Sequence, residues 1–136
     1  MVNGYSEKWL KQGFCWVYPA EVLAHPKRLR AGQVVKLASE SGEDLGRGLW
    51  DSGWIAVRRF RDDAGPVDRS LIAERLSAAR ALREVAVEAD TTAYRLVHGE
   101  NDGLPGIRVD VYGPQVVITL DTPSVKPLLG ALVEEL

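Results

Sequence analysis

The chain has little cysteine, little histidine and no long apolar run. One cysteine in 136 residues rules out an internal disulfide and matches a reducing compartment. No stretch of about 18 apolar residues occurs, so no segment reads as membrane-spanning. The opening residues Met1-Val2-Asn3-Gly4-Tyr5-Ser6-Glu7-Lys8 lack the apolar centre of a secretory signal. Internal repeats and low-complexity tracts are also missing. What is present is ordinary for a globular protein: 46% hydrophobic and 26% charged residues. That length makes one domain of usual size or two small ones.

Charge is unevenly distributed. Residues 1–61 hold ten Lys/Arg against six Asp/Glu; residues 62–136 hold seven against thirteen. A basic front beside an acidic back is expected if only the front touches a polyanion. An imbalance between solvated faces gives the same count.

The front reads as short strands joined by turns. Gln33–Ala38, Leu45–Trp50 and Trp54–Phe60 are the strand runs, separated by Ser39-Glu40-Ser41-Gly42-Glu43-Asp44 and Asp51-Ser52-Gly53. Gly46 and Gly48 point to a bend or a close backbone approach. Alternation in the third run breaks at Arg58 and Arg59. Several short, glycine-punctuated strands suggest a small barrel. Arg61-Asp62-Asp63-Ala64-Gly65-Pro66 is the boundary. Asp68 then caps a helix over Arg69–Val85, with Ile72, Leu76, Ala79, Leu82 and Val85 or Ala86 on one face. Strands follow at Ala93–His98, Ile107–Tyr112 and Gln115–Asp121, the last two joined by Gly113-Pro114. Thr122-Pro123 opens a second helix, with Val125, Leu128, Leu129, Leu132, Val133 and Leu136 as its stripe.

Three stretches stand out. Gly13-Phe14-Cys15-Trp16-Val17-Tyr18 combines a glycine with aromatics, and Trp16 and Tyr18 read most simply as core residues. Lys27-Arg28-Leu29-Arg30 is a cationic cluster after Pro26, suited to phosphates. Further cations come at Arg47, Arg58 and Arg59. Trp50 and Trp54 flank a turn and can stack on bases; the competing reading is structural tryptophans beside a solvated face. In the third stretch, Tyr94 to Gly113, two strand runs flank the loop His98-Gly99-Glu100-Asn101-Asp102-Gly103-Leu104-Pro105-Gly106. A strand rather than a helix follows those glycines, so the loop does not read as a nucleotide site. Glu100, Asp102 and Asp110, with only His98 nearby, make a poor metal set. They suit turns capped through their own backbone, or contacts to a further domain.

The Tyr94–Gly113 stretch resembles a family of SAM-dependent methyltransferases that modify cytosine C5 of large-subunit ribosomal RNA. Gly13–Tyr18 resembles the opening of that family's PUA domain, with Phe14-Cys15 where the family usually has His-Pro. Arg75–Arg83 resembles the helix after that domain. The resemblance runs from about Gly13 to Leu136. It implies an α+β chain: a PUA-like small β-barrel over residues 1–66, then a small mixed α/β domain over 67–136 with strands and two helices, and no complete Rossmann domain. It also implies that the methyl donor SAM and the catalytic cysteine belong to a further domain, for which about 150 more residues are needed. Cys15, among aromatics and without a neighbouring base, then reads as packing. The expectation is an RNA-binding N-terminal region, cytoplasmic and inactive alone, that holds ribosomal RNA for its own C-terminal catalytic domain. Its expected RNA contacts are Lys27, Arg28, Arg30, Arg47, Trp50, Arg58 and Arg59; catalytic, cofactor and metal residues are expected to be none. An amphipathic helix ending on Leu136 without a glycine cap suggests a cut piece and invites a homodimer. The alternatives are a stand-alone RNA-binding module and a protein-interaction fragment.

Overall fold

The computed structural model describes all residues, Met1–Leu136, as two compact units, Met1–Val67 and Asp68–Leu136. In the first unit, Asn3 caps helix α1 (Gly4–Lys11) by accepting from Ser6 N at 3.0 Å. Four antiparallel strands follow: β1 (Trp16–Val17), β2 (Val34–Ala38), β3 (Asp44–Trp50) and β4 (Val57–Arg61), in the order β1-β4-β3-β2. The expected α+β class holds, and the sheet is open: no ladder joins β1 to β2. The N-terminal residues bridge part of that gap. Val2 N donates to Ala38 O at 2.9 Å, while Asn3 N and Leu23 N bond Glu21 O and Met1 O. The end of β2 is thereby covered rather than left as a free edge.

The core of this unit is Val2, Leu10, Val17, Leu37, Leu45, Ala56 and Val57, with Val22, Val35 and Trp50 packed against it. Gly46 and Gly48 sit where β3 presses on β4. A Cβ on Gly46 would lie 2.0 Å from Arg61 O and one on Gly48 2.4 Å from Arg58 O. Close approach is therefore why both are glycines. The third strand is shorter than its sequence pattern, starting at Val57 rather than Trp54. The Asp51 carboxylate accepts from Ser52 N and Gly53 N, an Asx turn that holds residues 51–56 out of the ladder.

The second unit opens with helix α2 (Arg69–Ala86), where Asp68 accepts from Ser70 N and Leu71 N at 3.0 and 3.3 Å. Leu71, Ile72, Leu76 and Ala79 are buried, but Leu82 and Val85 are exposed, Val85 at 89%. The expected stripe ends early because the next inward position is Arg83, which pairs with Asp102. Strands β5 (Ala93–His98), β6 (Ile107–Tyr112) and β7 (Gln115–Leu120) form an antiparallel sheet in chain order. The β6–β7 turn works because Gly113 takes φ +55°. The last stretch is not one α-helix: Pro123–Leu128 is a 3-10 turn and only Leu129–Glu135 (α3) is α-helical. Pro127 has no N–H to offer, so the α ladder starts beyond it. Val125, Leu128 and Leu132 are buried and Val133 is exposed. The last carbonyls have a partner: Arg80 Nη2 donates to Glu135 O at 2.6 Å and Leu136 O at 3.3 Å.

Candidate nucleic-acid interface

The arginines of the first unit can be sorted by what their charge already meets. Arg59 lies on β4 with its side chain turned inward, 9% exposed. Its Nη2 donates to Leu10 O at 2.8 Å and Phe14 O at 3.0 Å, and Nη1 donates to Leu45 O at 3.2 Å. Leu10 O belongs to the last turn of α1, so Arg59 caps that helix from 49 residues away. Burial pushes its guanidinium below the ordinary value, yet arginine stays charged.

Arg58 points the other way from β4 and pairs with buried Asp51, Nε to Oδ2 at 3.2 Å. Arg47 grips Asp44 through two parallel hydrogen bonds of 2.7 and 3.0 Å. Those bonds hold the Asp44 carboxyl well below the usual carboxylate range. Arg61 is likewise taken by Asp63, whose carboxyl it lowers to about 2.

Lys27, Arg28 and Arg30 differ from all of these. They sit in the irregular segment before β2, every one exposed, and none forms an ion pair or a side-chain hydrogen bond. Leu29 between them is half-buried and lines a small depression with His25, Pro26, Val35 and Trp50. That single apolar anchor ties down a segment without regular structure whose three charged side chains are all exposed. The Arg30 N–H donates to Gln33 Oε1 at 3.3 Å, which starts the turn into β2.

The two tryptophans also part company. Trp50 is half-buried against the core, its ring 5.0 Å from that of His25. Trp54 lies in the Asx turn and is 94% exposed. Tyr18, expected in the core, is 43% exposed across a shallow concavity from Trp54, and Trp16 is only half-buried. The cue for Tyr18 and Trp54 lay in their neighbours: Pro19 follows one and Ser52-Gly53 precedes the other, and both are turn signals.

In the second unit the loop acids serve the fold. Asp102 accepts from Arg83 at 2.7 and 2.9 Å and from His98 N at 2.6 Å. Burial opposes its ionisation, but these donors outweigh burial and leave its carboxyl below the ordinary value. Asp110 accepts from Arg95 at 2.8 and 3.2 Å. No helix of the structure is long and apolar enough to cross a membrane.

Residues 1–62 match the sequence profile of a PUA-like domain. Over 117 residues the chain is 38% identical to a protein from Shewanella amazonensis named ribosomal RNA large subunit methyltransferase I, covering 84% of this chain and 30% of that one. The protein of the same name from Aliivibrio fischeri is 31% identical over 133 residues, 96% of this chain and 34% of its own length. A solved chain described as a methyltransferase in complex with SAH superposes with a TM-score of 0.86 at 23% identity, over 99% of this chain and 35% of that one. At such identity the likeness shows the fold alone. The first unit is thus a PUA-like domain, and the chain is homologous to the N-terminal region of the named methyltransferases, spanning about a third of their length.

Proposed function

We propose that the PUA-like unit binds folded ribosomal RNA through Lys27, Arg28 and Arg30. In this reading it presents the RNA to a SAM-dependent active site, carried outside these 136 residues, that methylates cytosine at C5 in the cytoplasm. The observation that carries the reading is the contrast in pairing. Arg47, Arg58, Arg59 and Arg61 are held by carboxylates or carbonyls, whereas these three cations meet only solvent. Unpaired like charges repel one another, and an external polyanion turns that cost into binding free energy. Arg47, Arg58 and Arg59 serve the unit's own frame, and Trp50 lines the depression that Leu29 enters. The extruded cytosine belongs to the chemistry of the distant site, since a base in a duplex is out of reach of a methyl donor. Cys15, half-buried between aromatics, takes no part.

The test is a filter-binding titration of folded ribosomal RNA at several salt concentrations, with Lys27, Arg28 and Arg30 changed together to alanine. The wild-type chain should bind with an affinity that falls steeply with salt. The triple variant should lose roughly two to three units of slope, about 0.7–0.9 for each phosphate contact removed. An unchanged slope sinks the assignment. Labelled SAM added with the RNA should give no methyl transfer by this chain alone.

A second reading rests on the other unit. Its edge strand β7 exposes Val116 and Val117, and Tyr112 on β6 is exposed as well. An uncovered edge with apolar side chains suits a protein partner. Binding that ignores salt would favour it.

A further inference from the structure

We propose that the concavity between Tyr18 and Trp54 is a stacking site for one unpaired nucleobase of the bound RNA. The proposal rests on the RNA-binding reading and adds a second place, of different chemistry, on the same unit. Trp54 is more exposed than any other large apolar side chain of the protein. Its backbone is nonetheless well tied. Asp51 accepts from Ser52 N at 2.8 Å and Gly53 N at 3.3 Å and pairs with Arg58. Asp51 N donates to Ala56 O, and Ala56 N to Val17 O, each at 2.8 Å. The turn is thus fastened at both ends to the sheet while its indole projects. Across from it, Tyr18 N donates to Glu21 Oε2 at 2.8 Å, and Pro19 opens a 3-10 turn that fixes the approach of the phenol. Rings presented by a fixed backbone lose little freedom on binding.

The lining decides the ligand class. Tyr18, Pro19, Ala20, Ser52, Gly53 and Trp54 include no charged side chain. Such a surface has nothing for a phosphate and suits a flat, neutral π system. A nucleobase and an apolar, proline-rich peptide both satisfy that much. The neighbourhood separates them. Trp50, directly before the turn, is bonded at both backbone groups to the segment after the cationic cluster: Gly32 N to Trp50 O and Trp50 N to Gln33 O, each at 2.9 Å. Aromatic turn and cationic segment are therefore successive parts of one hydrogen-bonded run. A single-stranded nucleic acid supplies what both need, phosphates for one and a splayed base for the other. A neutral peptide leaves the three cations unanswered.

The experiment compares two fluorescein-labelled RNA strands of about 12 nucleotides, one with bases and one abasic, of equal charge, by anisotropy with the 136-residue chain at several salt concentrations. The wild-type chain should prefer the base-bearing strand. Trp54→Ala should weaken that strand about 5- to 150-fold, as loss of one base–aromatic stack predicts. It should leave the abasic strand and both salt slopes unchanged, and Trp54→Phe should restore part of the preference. The triple alanine variant of Lys27, Arg28 and Arg30 should do the reverse, lowering the slope and keeping the preference. Circular dichroism should show Trp54→Ala folded, since almost none of that side chain is buried. If the alanine variant keeps the base preference, or weakens both strands alike, the stacking site is wrong and the RNA reading survives. If the wild-type chain binds neither strand in a salt-dependent way, both fall. A proline-rich peptide that binds through Trp54 while base preference is absent would put a peptide where we place the base.

Discussion

The two units use arginine differently. In the second, Arg69 meets Glu134 and Glu135, Arg83 meets Asp102, Arg95 meets Asp110 and Arg108 meets Asp121, while Arg80 takes the last carbonyls and Arg75 lies 3.9 Å from Glu74. Every arginine there except Arg75 is held by hydrogen bonds inside the unit. In the first, four arginines are engaged in the same manner, and the Lys27–Arg30 segment is not. Composition alone shows a basic front and an acidic back. Pairing shows that most of the front's charge is internal too, and that apart from Lys8, exposed beside the Trp9 ring, the portion open to a polyanion is three side chains on one segment. A count of charges overstates an interface when carboxylates and carbonyls have already claimed the guanidinium groups.

The sharpest break in that comparison is Arg59→Ala. It would take one donor from each of three carbonyls, of which Leu10 O keeps Gly13 N at 3.0 Å, and should cost the first unit about 3 kcal/mol in denaturant unfolding. The triple change of Lys27, Arg28 and Arg30 should move the same midpoint by less than about 0.5 kcal/mol. Next comes Gly46→Ala: a Cβ against Arg61 O, at φ +105°, should cost about 3 kcal/mol, and a neutral result would mean that β3 can slide away from β4. In the second unit Asp102→Asn should cost about 2 kcal/mol at neutral pH, because Arg83 is left without its counter-charge. Since the folded carboxyl titrates below its unfolded value near 3.9, that contribution is complete above about pH 4. It fades as pH falls through the folded value. Melts at pH 6 and pH 3 should therefore show the wild-type and Asp102→Asn chains converging in acid, and a constant gap would deny the ionic role. The smallest effect is expected for Arg108→Ala. Its partner Asp121 is exposed, so stability should change by less than about 0.5 kcal/mol and RNA affinity by less than about twofold. A large loss of RNA affinity there would extend the interface into the second unit.

Much of this was readable beforehand, for physical reasons that differ by element. Asp68 reads as a cap because a short acid before an apolar period has few other uses. The Ala93–His98 and Ile107–Tyr112 runs read as strands because alternation and flanking glycines agree. Gly46 and Gly48 announce close approach because glycine in a strand otherwise only weakens it. The arginines of β4 could not be sorted. Arg58 and Arg59 are adjacent, and the pleat alone sends one to Asp51 and the other under α1. Their partners lie seven residues and 49 residues away, beyond any local pattern. The stripe of α2 misled for a related reason: the face was right, but Arg83 rather than Leu82 fills its last inward place.

The sequence by itself determined most elements from Gln33 onward, their order and the place where charge changes sign, because these follow from short-range periodicity and turn chemistry; helix α1 and the two-residue β1 are too short and too weakly patterned to read that way. Only the tertiary structure decided which cations remain unpaired and which tryptophan is bare. Those properties depend on partners brought together from distant parts of the chain, and proximity of that kind is created by folding.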